Sequence, residues 1–489
     1  MRSRATLRRR SRLVAATLVC FASSLSGNTP RARAGGVEAT VAGARAVGRG
    51  GAMTASATGL DALRFNPARL HLDGPFSIGL DAQLHIVDVC YDRLDADGRT
   101  YPSVCNQAPP LVVPQLGASF ALSDRVGLGF GILPPPSGTS SLAFGSARDG
   151  TIRVDGQPVA SPSRYANVIT DNTGLFPTVA LSVAPHERVR LGLSFGAGVF
   201  MVNSISYTAG IPGAGPSYDT RTALSGRDLF VPRVGFALDV EPAPGLSLAW
   251  VTHYTADLNA KAALFLSGET GGGYSVRVPG VRVNQAFGWE STLAVRYAQP
   301  RFDVELDLMV QGHATTQRTT VDIPDDAVLP IDVSINGVAL GALPDERYVE
   351  RRWKNQLVLR AGGDVLVMPE RLWARAGFSF ESNGNQRAYT SVENFLARRV
   401  GLHLGATVQV HPALRVTLGY SRVFQPNVTV DPADARVPQP TASTPPPLDD
   451  PSRTLYVNGG RYRGGMHVVA LGLTFRPASA PSASTQEAP

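Results

Sequence analysis

Apolar side chains recur at every second position in segments of about ten residues, and this period is the feature that most constrains the fold. In residues 302–311, Phe, Val, Leu, Leu and Val at the even positions alternate with Asp, Glu, Asp, Met and Gln. Successive side chains of a β-strand point to opposite faces, so each segment has one apolar and one polar or small face. The pattern predicts an all-β protein, and with 50 Gly, 37 Pro and only two Lys the chain has few candidates for long amphipathic helices.

Fourteen such segments can be counted, and the connections between them alternate in length. Six connections are short turns, and the other seven are long loops. The fourteen segments are 75–89, 115–122, 125–133, 176–185, 188–203, 231–241, 246–258, 283–298, 301–312, 355–367, 372–382, 399–410, 414–424 and 466–475.

Alternation alone also fits a secreted sandwich or repeat protein, which stays the alternative. The even number of segments and the asymmetry of the turns favour an outer-membrane barrel, which has short periplasmic turns and long external loops. A closed barrel satisfies every backbone polar group in lipid. We therefore expect a fourteen-stranded antiparallel transmembrane β-barrel in a Gram-negative outer membrane, with both termini in the periplasm.

The basic character of the chain comes from its first 34 residues. The whole sequence has 46 Lys and Arg against 39 Asp and Glu, but residues 1–34 hold eight Arg and no acid, which leaves 38 basic groups against 39 acidic ones. This balance removes the main argument for nucleic-acid binding. An Arg-rich start, an apolar run at 13–25 and a small-residue cleavage site at 32–34 predict a secretory signal peptide. A twin-Arg signal and lipidation at Cys20 are weaker alternatives, because the flanking residues match those signals poorly.

Two cysteines follow the leader, Cys90 and Cys105, fifteen positions apart in the first long loop, 90–114. An exported protein meets an oxidising compartment, so the pair is a candidate disulfide on the cell exterior. Two free thiols are the alternative.

Residues 35–74 do not alternate and do not read as strands. A Gly- and Ala-rich stretch at 43–52 is followed by Asp61 and by the motif Asn66-Pro67-Ala68. In this combination the chain resembles the FadL-type long-chain fatty acid and hydrocarbon transporters of Gram-negative outer membranes. The resemblance implies that residues 35–74 form a small hatch that plugs a fourteen-stranded barrel of residues 75–476.

The resemblance continues in the second half of the chain. Residues 372–382, 400–407 and 414–424 are similar to the Gly-rich later strands of the family, and 460–475 to its closing loop and last strand. Two features depart from the family: Arg69-Leu70 after the motif, and Arg476 after Phe475, where such barrels end on the aromatic residue that the assembly machinery reads. Residues 477–489, rich in Pro, Ala and Ser, are expected to be a disordered tail.

Catalysis and metal binding find no support in the sequence. Residues 192–196 match the nucleophile elbow Gly-x-Ser-x-Gly, but they lie in an alternating strand with no helix after it. The eight His show no pair at ligand spacing, and Asp92, Asp95 and Asp97 are better read as a solvated acidic turn than as a calcium loop. We expect no enzyme activity, no metal and no cofactor.

Gly127, Gly129 and Gly131 interrupt the third segment. Interior glycine weakens a strand and permits bends. The resemblance implies a kink there that opens a side exit to the membrane, and the alternative is a small inner face that leaves room for the hatch.

Two long loops carry apolar residues that solubility does not require, and exposed apolar clusters tend to be binding surfaces. We expect them to capture a hydrophobic ligand, as the resemblance implies, with packing of loop on loop as the alternative. These residues are Ile205, Tyr207, Ile211 and Leu224 in 204–230, and Leu264, Phe265 and Leu266 in 259–282.

Together these features predict a monomeric channel that takes up long-chain fatty acids or hydrocarbons by passive diffusion, from a groove in the loops through the lumen to a lateral opening. Its expected partners are the hydrophobic ligand, outer-membrane lipid and lipopolysaccharide, with no nucleic acid. A porin-like channel for polar solutes, or a structural barrel, is the alternative.

Overall fold

The computed structural model describes residues 41–136, 140–209, 216–268, 273–314, 316–327, 334–335, 338–339, 343, 345–440 and 455–477. The expected signal peptide, the loop residue Ile211 and nearly all of the expected tail lie outside the described residues. Within them, no helix is long and apolar enough to cross a membrane.

Fourteen antiparallel strands form the wall of a closed barrel, as predicted. Each strand pairs with the next along the chain, and the first pairs with the last, from Ile78 opposite Phe475 to Arg93 opposite Gly460. The wall strands are β1 Phe76–Arg93, β2 Leu111–Ser123, β3 Val126–Leu133, β4 Ile169–His186, β5 Val189–Thr208, β6 Thr220–Ala243, β7 Leu246–Thr255, β8 Gly288–Gln299, β9 Phe302–Gln311, β10 Gln356–Met368, β11 Leu372–Glu381, β12 Arg399–His411, β13 Leu414–Val430 and β14 Gly460–Phe475.

The wall is apolar outside and polar or small inside, the reverse of a water-soluble protein. On β9, the side chains of Phe302, Val304 and Leu306 are exposed on the outer surface, whereas Asp303 and Glu305 are buried in the lumen. A strand with this pattern is stable only where lipid covers its outer face, which is why the period of two runs through the lipid-facing part of every wall strand.

Further short elements lie on the long-loop end of the barrel. They include a hairpin that follows β7 and continues the wall upward, with its first strand paired to the start of β6. The remaining strands are Val104–Cys105, Ser140–Ala143, Thr151–Val154, Gln157–Ala160, Leu258–Gly268, Tyr274–Gln285, Arg318–Asp322, Ser334–Ile335, Val338–Ala339 and Glu346–Glu350, and the single 3₁₀ turns are Pro216–Tyr218, Arg387–Tyr389 and Pro432–Asp434.

The prediction of loops at 204–230 and 259–282 is wrong. β5 runs on to Thr208 and β6 already begins at Thr220, and the second region is the hairpin of Leu258–Gly268 and Tyr274–Gln285. The backbone ladder continues above the lipid, where the outer face has no need to be apolar, so the period of two ends before the strands do.

Residues 41–74, the N-terminal segment from here on, lie inside the barrel. The segment contains helices α1 Ala44–Gly48 and α2 Leu60–Phe65 and the 3₁₀ helix Pro67–Asp73. α1 contacts β11 to β14, α2 contacts β1 to β4, and the 3₁₀ helix contacts β2 to β6. Nearly all of its side chains are buried, so the segment fills the lumen across its width.

Cys90 on β1 lies opposite Cys105, and the two are joined as a disulfide in the structure. The bond ties the end of β1 to the first long loop.

Candidate functional site

The Asn66-Pro67-Ala68 motif forms the turn between α2 and the 3₁₀ helix. Asn66 is fully buried, and its Oδ1 accepts a hydrogen bond from the backbone N–H of Ala68 at 3.1 Å. Its Nδ2 donates to the carbonyl of Thr54 at 2.7 Å and to Asp239 at 3.4 Å. Asn66 therefore braces the segment internally and links it to β6, as expected of a short amide side chain before proline.

Ala68 packs where only a small partner fits. A Cβ added to Gly192 of β5 would lie 2.2 Å from the Ala68 backbone nitrogen. Glycine at this position of the wall is therefore required by the close approach of the segment.

Arg69, which departs from the family motif, has a partner in the wall. Its guanidinium contacts the buried Asp239 at 3.0 Å. Arg190 of β5 contacts the same carboxylate at 2.5 Å and Glu241 at 2.9 Å. Two arginines thus share one carboxylate of β6, and one of them belongs to the N-terminal segment.

A second group of ion pairs centres on Arg49, which follows α1 and is completely buried. Its guanidinium contacts Asp303 at 2.7 Å and Glu305 at 3.1 Å on β9, and Asp364 at 3.1 Å on β10. Arg45 of α1 contacts Asp364 at 3.0 Å. A buried cation is tolerated only when carboxylates surround it in this way.

Backbone N–H groups of the segment also end on β9. The N–H groups of Met53 and Thr54, and the Thr54 hydroxyl, donate to Asp307, and the N–H of Ala55 donates to Glu305. The luminal carboxylates of one strand therefore satisfy donors that would otherwise be buried without partners.

A charged cavity of about 230 Å³ lies between the N-terminal segment and the wall at the short-turn end. Its lining includes Arg45, Asp61, Arg415 and Arg476. Burial and the neighbouring Asp81 carboxylate raise the pKa of Asp61 to about 7. Asp61, one of the predicted hatch residues, is thus the group of this segment that changes charge near neutral pH.

The three glycines of β3 face the N-terminal segment. A Cβ at Gly129 would lie 2.8 Å from side-chain atoms of Leu63 and Leu70, and one at Gly127 would lie 2.6 Å from the His71 backbone nitrogen. From Gly127 to Gly131 the ladder is continuous on both sides of the strand. These contacts fit the small inner face, the second of the two interpretations.

The wall is interrupted one strand further on. Pairs between β4 and β5 are present at Leu175 and again at Thr178, but not at the two residues between them, and the same ladder has a second gap of two residues at 171–172. The first of the two, Phe176, points into the lumen, and the second, Pro177, has no N–H to donate. The register is the same on either side, so backbone bonds are missing without a bulge.

Apolar surfaces meet at this interruption from both sides. Inside, Phe176 packs edge-on against Phe200 at 5.6 Å between ring centroids, and Phe200 stacks on Phe287 at 4.8 Å. Outside, an apolar groove of about 590 Å³ has Pro177 and Ala197 in its lining. The Phe176 ring packs directly against β5 at this point, since a Cβ at Gly198 would lie 2.6 Å from it.

The residues predicted to capture ligand do not form one exposed surface. Leu264 and Leu266 are buried in a cluster with Val278, Val281, Ile323 and Leu343, whereas Phe265 is 41% exposed on the opposite face of the same strand.

The other predicted capture residues lie on wall strands. Tyr207 of β5 is buried under the guanidinium of Arg164, 4.0 Å from the ring centroid. Ile205 of β5 and Leu224 of β6 are partly buried in the upper wall. Loop-on-loop packing thus accounts for most of the apolar character that the sequence showed there, and ligand capture stays a prediction.

Ser194, the centre of the Gly-x-Ser-x-Gly match, lies within β5, opposite Ala180 and Gly235. A nucleophile elbow needs a turn from strand to helix, and this position has none. In the described part of the chain, no group of three or more His, Cys, Asp or Glu side chains is arranged to hold a metal ion.

The fold can be compared with known proteins. No family model and no curated protein matches the sequence. Among solved structures, a Pseudomonas aeruginosa FadL homologue is similar with a TM-score of 0.68 at 15% identity, over 90% of this chain and 99% of that one. The Pseudomonas putida toluene transporter TodX gives a TM-score of 0.62 at 16% identity, over 91% and 100%. The monoaromatic hydrocarbon channel CymD gives 0.58 at 12%, over 89% and 97%.

The strand count and the closure of β1 on β14 agree with a similarity that spans nearly the whole of each chain. This protein therefore has the fold of the FadL-type outer-membrane channels.

Proposed function

We propose that this protein is a monomeric outer-membrane channel for the passive uptake of hydrophobic molecules, with a lateral exit between β4 and β5. The observation that carries the proposal is the interrupted ladder at Phe176 and Pro177, with an aromatic cluster on its luminal side and an apolar groove on its lipid side. Transfer of an apolar solute from water into such a path is favourable, and the solute does not return to water along it.

The N-terminal segment acts as a hatch in this proposal. It blocks the direct route to the periplasm, and its ion pairs with Asp239, Asp303 and Asp364 hold it in place. A closed lumen keeps polar solutes out while the side exit serves apolar ones. The short turns then face the periplasm, together with both termini.

Long-chain fatty acids and hydrocarbons are the proposed substrate class. The solved relatives include channels for toluene and other monoaromatic hydrocarbons. The three phenylalanines at the interruption suit both flat rings and alkyl chains, because apolar contact selects by size and shape rather than by a polar pattern.

A reversible cross-link across the interruption tests the exit. Pro177 and Ala197 lie opposite each other by register, so the double variant P177C/A197C can be oxidised to a disulfide that staples β4 to β5. Uptake of toluene and of a long-chain fatty acid would be measured in cells that lack their own transporter. We expect uptake to fall on oxidation and to return on reduction.

L181C/L193C is the matched control, because it staples the same two strands where the ladder is intact. The control should transport equally when oxidised and reduced. Full uptake by the stapled P177C/A197C variant would overturn the lateral exit. No difference between cells with and without the protein would overturn uptake of hydrophobic molecules altogether and leave the porin-like alternative.

A further inference from the structure

The outer face of the barrel carries a row of cations at the long-loop end. Arg227 on β6 is paired with Lys261 on the hairpin, and Lys261 is paired with Arg282 on the second strand of the hairpin. Residues that face each other in an antiparallel pair point to the same side of the sheet. All three side chains are exposed, and their neighbours Ala260, Val281 and Val283 point inward and are buried.

This arrangement costs stability in the isolated protein, because like charges directly opposite each other on neighbouring strands repel. Lys261 is one of only two lysines in the chain, so a general abundance of lysine does not explain its presence at this position. A fourth cation, Arg277, stands near the row, with its guanidinium 5.8 Å from the Phe265 ring centroid. The four side chains line a shallow groove of about 600 Å³.

Two carboxylates lie close to the row but are engaged elsewhere. Asp228 accepts hydrogen bonds from the backbone N–H groups of Phe230 and Asn259, and Asp322 accepts one from the amide of Asn284. The ion pairs found among the described residues include none of the four cations. Among the described residues, the polar side-chain contact found for the row is from Arg282 to the side-chain carbonyl oxygen of Asn259, at 3.1 Å.

The height of the row on the barrel identifies what it faces. Leu229 and Phe230, each 61% exposed, begin the apolar outer band of β6 only two and three residues after Arg227. At a rise of ~3.3 Å per residue, the three cations of the row stand within roughly 10 Å of that band, and Arg277 stands higher, at roughly 20 Å. The row thus stands at the depth of lipid headgroups next to the hydrocarbon core.

We propose that Arg227, Lys261, Arg277 and Arg282 bind the phosphate groups of lipopolysaccharide in the outer leaflet. Arginine matches phosphate oxygens with paired N–H donors, and lysine adds a compact charge. A phosphorylated glycolipid bound there supplies the anions that the fold does not, and removes the repulsion within the row. The inference rests on the proposed function in one respect, since it needs the long-loop end to face outward.

Binding of lipid A to the full-length protein in detergent tests the inference, with native mass spectrometry as the readout. The probes are bisphosphorylated lipid A and the same lipid without phosphates. The variant R227Q/K261Q/R282Q should bind the bisphosphorylated lipid at least roughly tenfold more weakly than wild type, because each cation near an anionic lipid surface adds to affinity. The dephosphorylated lipid should bind both proteins equally and weakly.

R125Q/R188Q/R301Q is the matched control, because it removes three exposed arginines at the short-turn end. Its affinity for lipid A should equal that of wild type, and the gel mobility of unheated samples should show that both variants fold. Equal affinity of wild type and R227Q/K261Q/R282Q would overturn the site. Competition by inorganic phosphate at the concentration of the lipid would also overturn it, as a site for free phosphate.

The uptake assay keeps this test separate from that of the proposed function. Phosphate-dependent binding in a protein that transports nothing would support the lipid site while the channel proposal fails. Normal uptake, together with unchanged lipid A affinity in the triple variant, would support the channel proposal and overturn the lipid site.

Discussion

Arg49→Met removes the central cation of the N-terminal segment while leaving a side chain of similar length. Removing one partner of a buried ion pair typically costs about 3–5 kcal/mol. The carboxylates that Arg49 contacts keep some partners, since Asp303 still has Arg296 at 2.9 Å and Asp364 still has Arg45 at 3.0 Å. We therefore expect the lower figure, about 3 kcal/mol, in the free energy that holds the segment in the lumen.

Hydrogen exchange of backbone amides measures this free energy directly. The amides of Met53, Thr54 and Ala55 donate to carboxylates of β9, so they exchange only when the segment leaves that strand. A loss of 3 kcal/mol corresponds to exchange that is roughly 100-fold faster. Exchange within the wall should stay unchanged, because the ladders of β9 and β10 do not involve the Arg49 side chain.

Arg318→Ala is the control for ion pairs in general. Arg318 and Glu346 are 52% and 47% exposed, and a pair of that kind contributes less than about 1 kcal/mol. Arg49→Lys should give an intermediate effect, since it keeps the charge but loses the fork of donors. Unchanged exchange at Thr54 in Arg49→Met would refute the view that buried ion pairs hold the segment.

Asp61→Asn should abolish a pH dependence. Because the pKa of Asp61 is raised in the folded protein, its contribution to stability is fully present below its ordinary pKa of 3.8 and is lost as the pH rises through about 7. Protease cleavage of the N-terminal segment should therefore be faster at pH 8 than at pH 6 in wild type, and equally fast at both in Asp61→Asn. Unreduced protein should show Cys90 and Cys105 joined in mass analysis, and replacing both by Ala should cost about 3 kcal/mol; two free thiols would contradict this. Leu264→Ser should destabilise the barrel by about 2–5 kcal/mol in urea unfolding, whereas Phe265→Ser should leave stability nearly unchanged. Ligand uptake by the Phe265→Ser variant then reports on ligand capture alone, and equal destabilisation by the two changes would contradict their different burial.

Every wall strand could be located from the sequence because lipid imposes a strict requirement on one face. Where that requirement ends, the pattern ends too. The upper part of β6, from Thr220 to Phe230, mixes Arg, Ser and Leu on its outer side, and no period of two marks it as a strand. The hairpin of Leu258–Gly268 and Tyr274–Gln285 was missed for the same reason.

The motif of the N-terminal segment could be found because Asn66 and Pro67 are adjacent, but the ion pairs that hold it could not. Arg49 and Asp303 are 254 positions apart, and local pattern carries no information at that distance. One signal was present: Asp303, Glu305 and Asp307 share the luminal face of β9, and three carboxylates on one buried face require cations from elsewhere.

The side exit that the resemblance implies at β3 stays a prediction, and the exit proposed from the structure lies one strand further on, between β4 and β5. Glycines in β3 drew attention to that strand, although the missing backbone bonds lie where Pro177 cannot donate one. A proline within an otherwise regular wall strand was the feature to look for, since proline is disfavoured inside a sheet.

The buried ion pairs of the N-terminal segment also dictate the order in which the molecule can be assembled. Arg45 meets Asp364 across 319 positions, and Arg476, the residue after β14, pairs with Asp73 at the end of the segment. The segment leaves the ribosome first, yet its counter-charges on β9 and β10 arrive some 250–320 residues later, and the last one only when the wall is complete. The ion pairs of Arg45 and Arg49 therefore cannot all form until β10 exists, and the pair of Asp73 with Arg476 needs the whole wall. A chain truncated before β10 lacks Asp364 and keeps only the contacts of the segment with the earlier strands, such as that of Arg69 with Asp239.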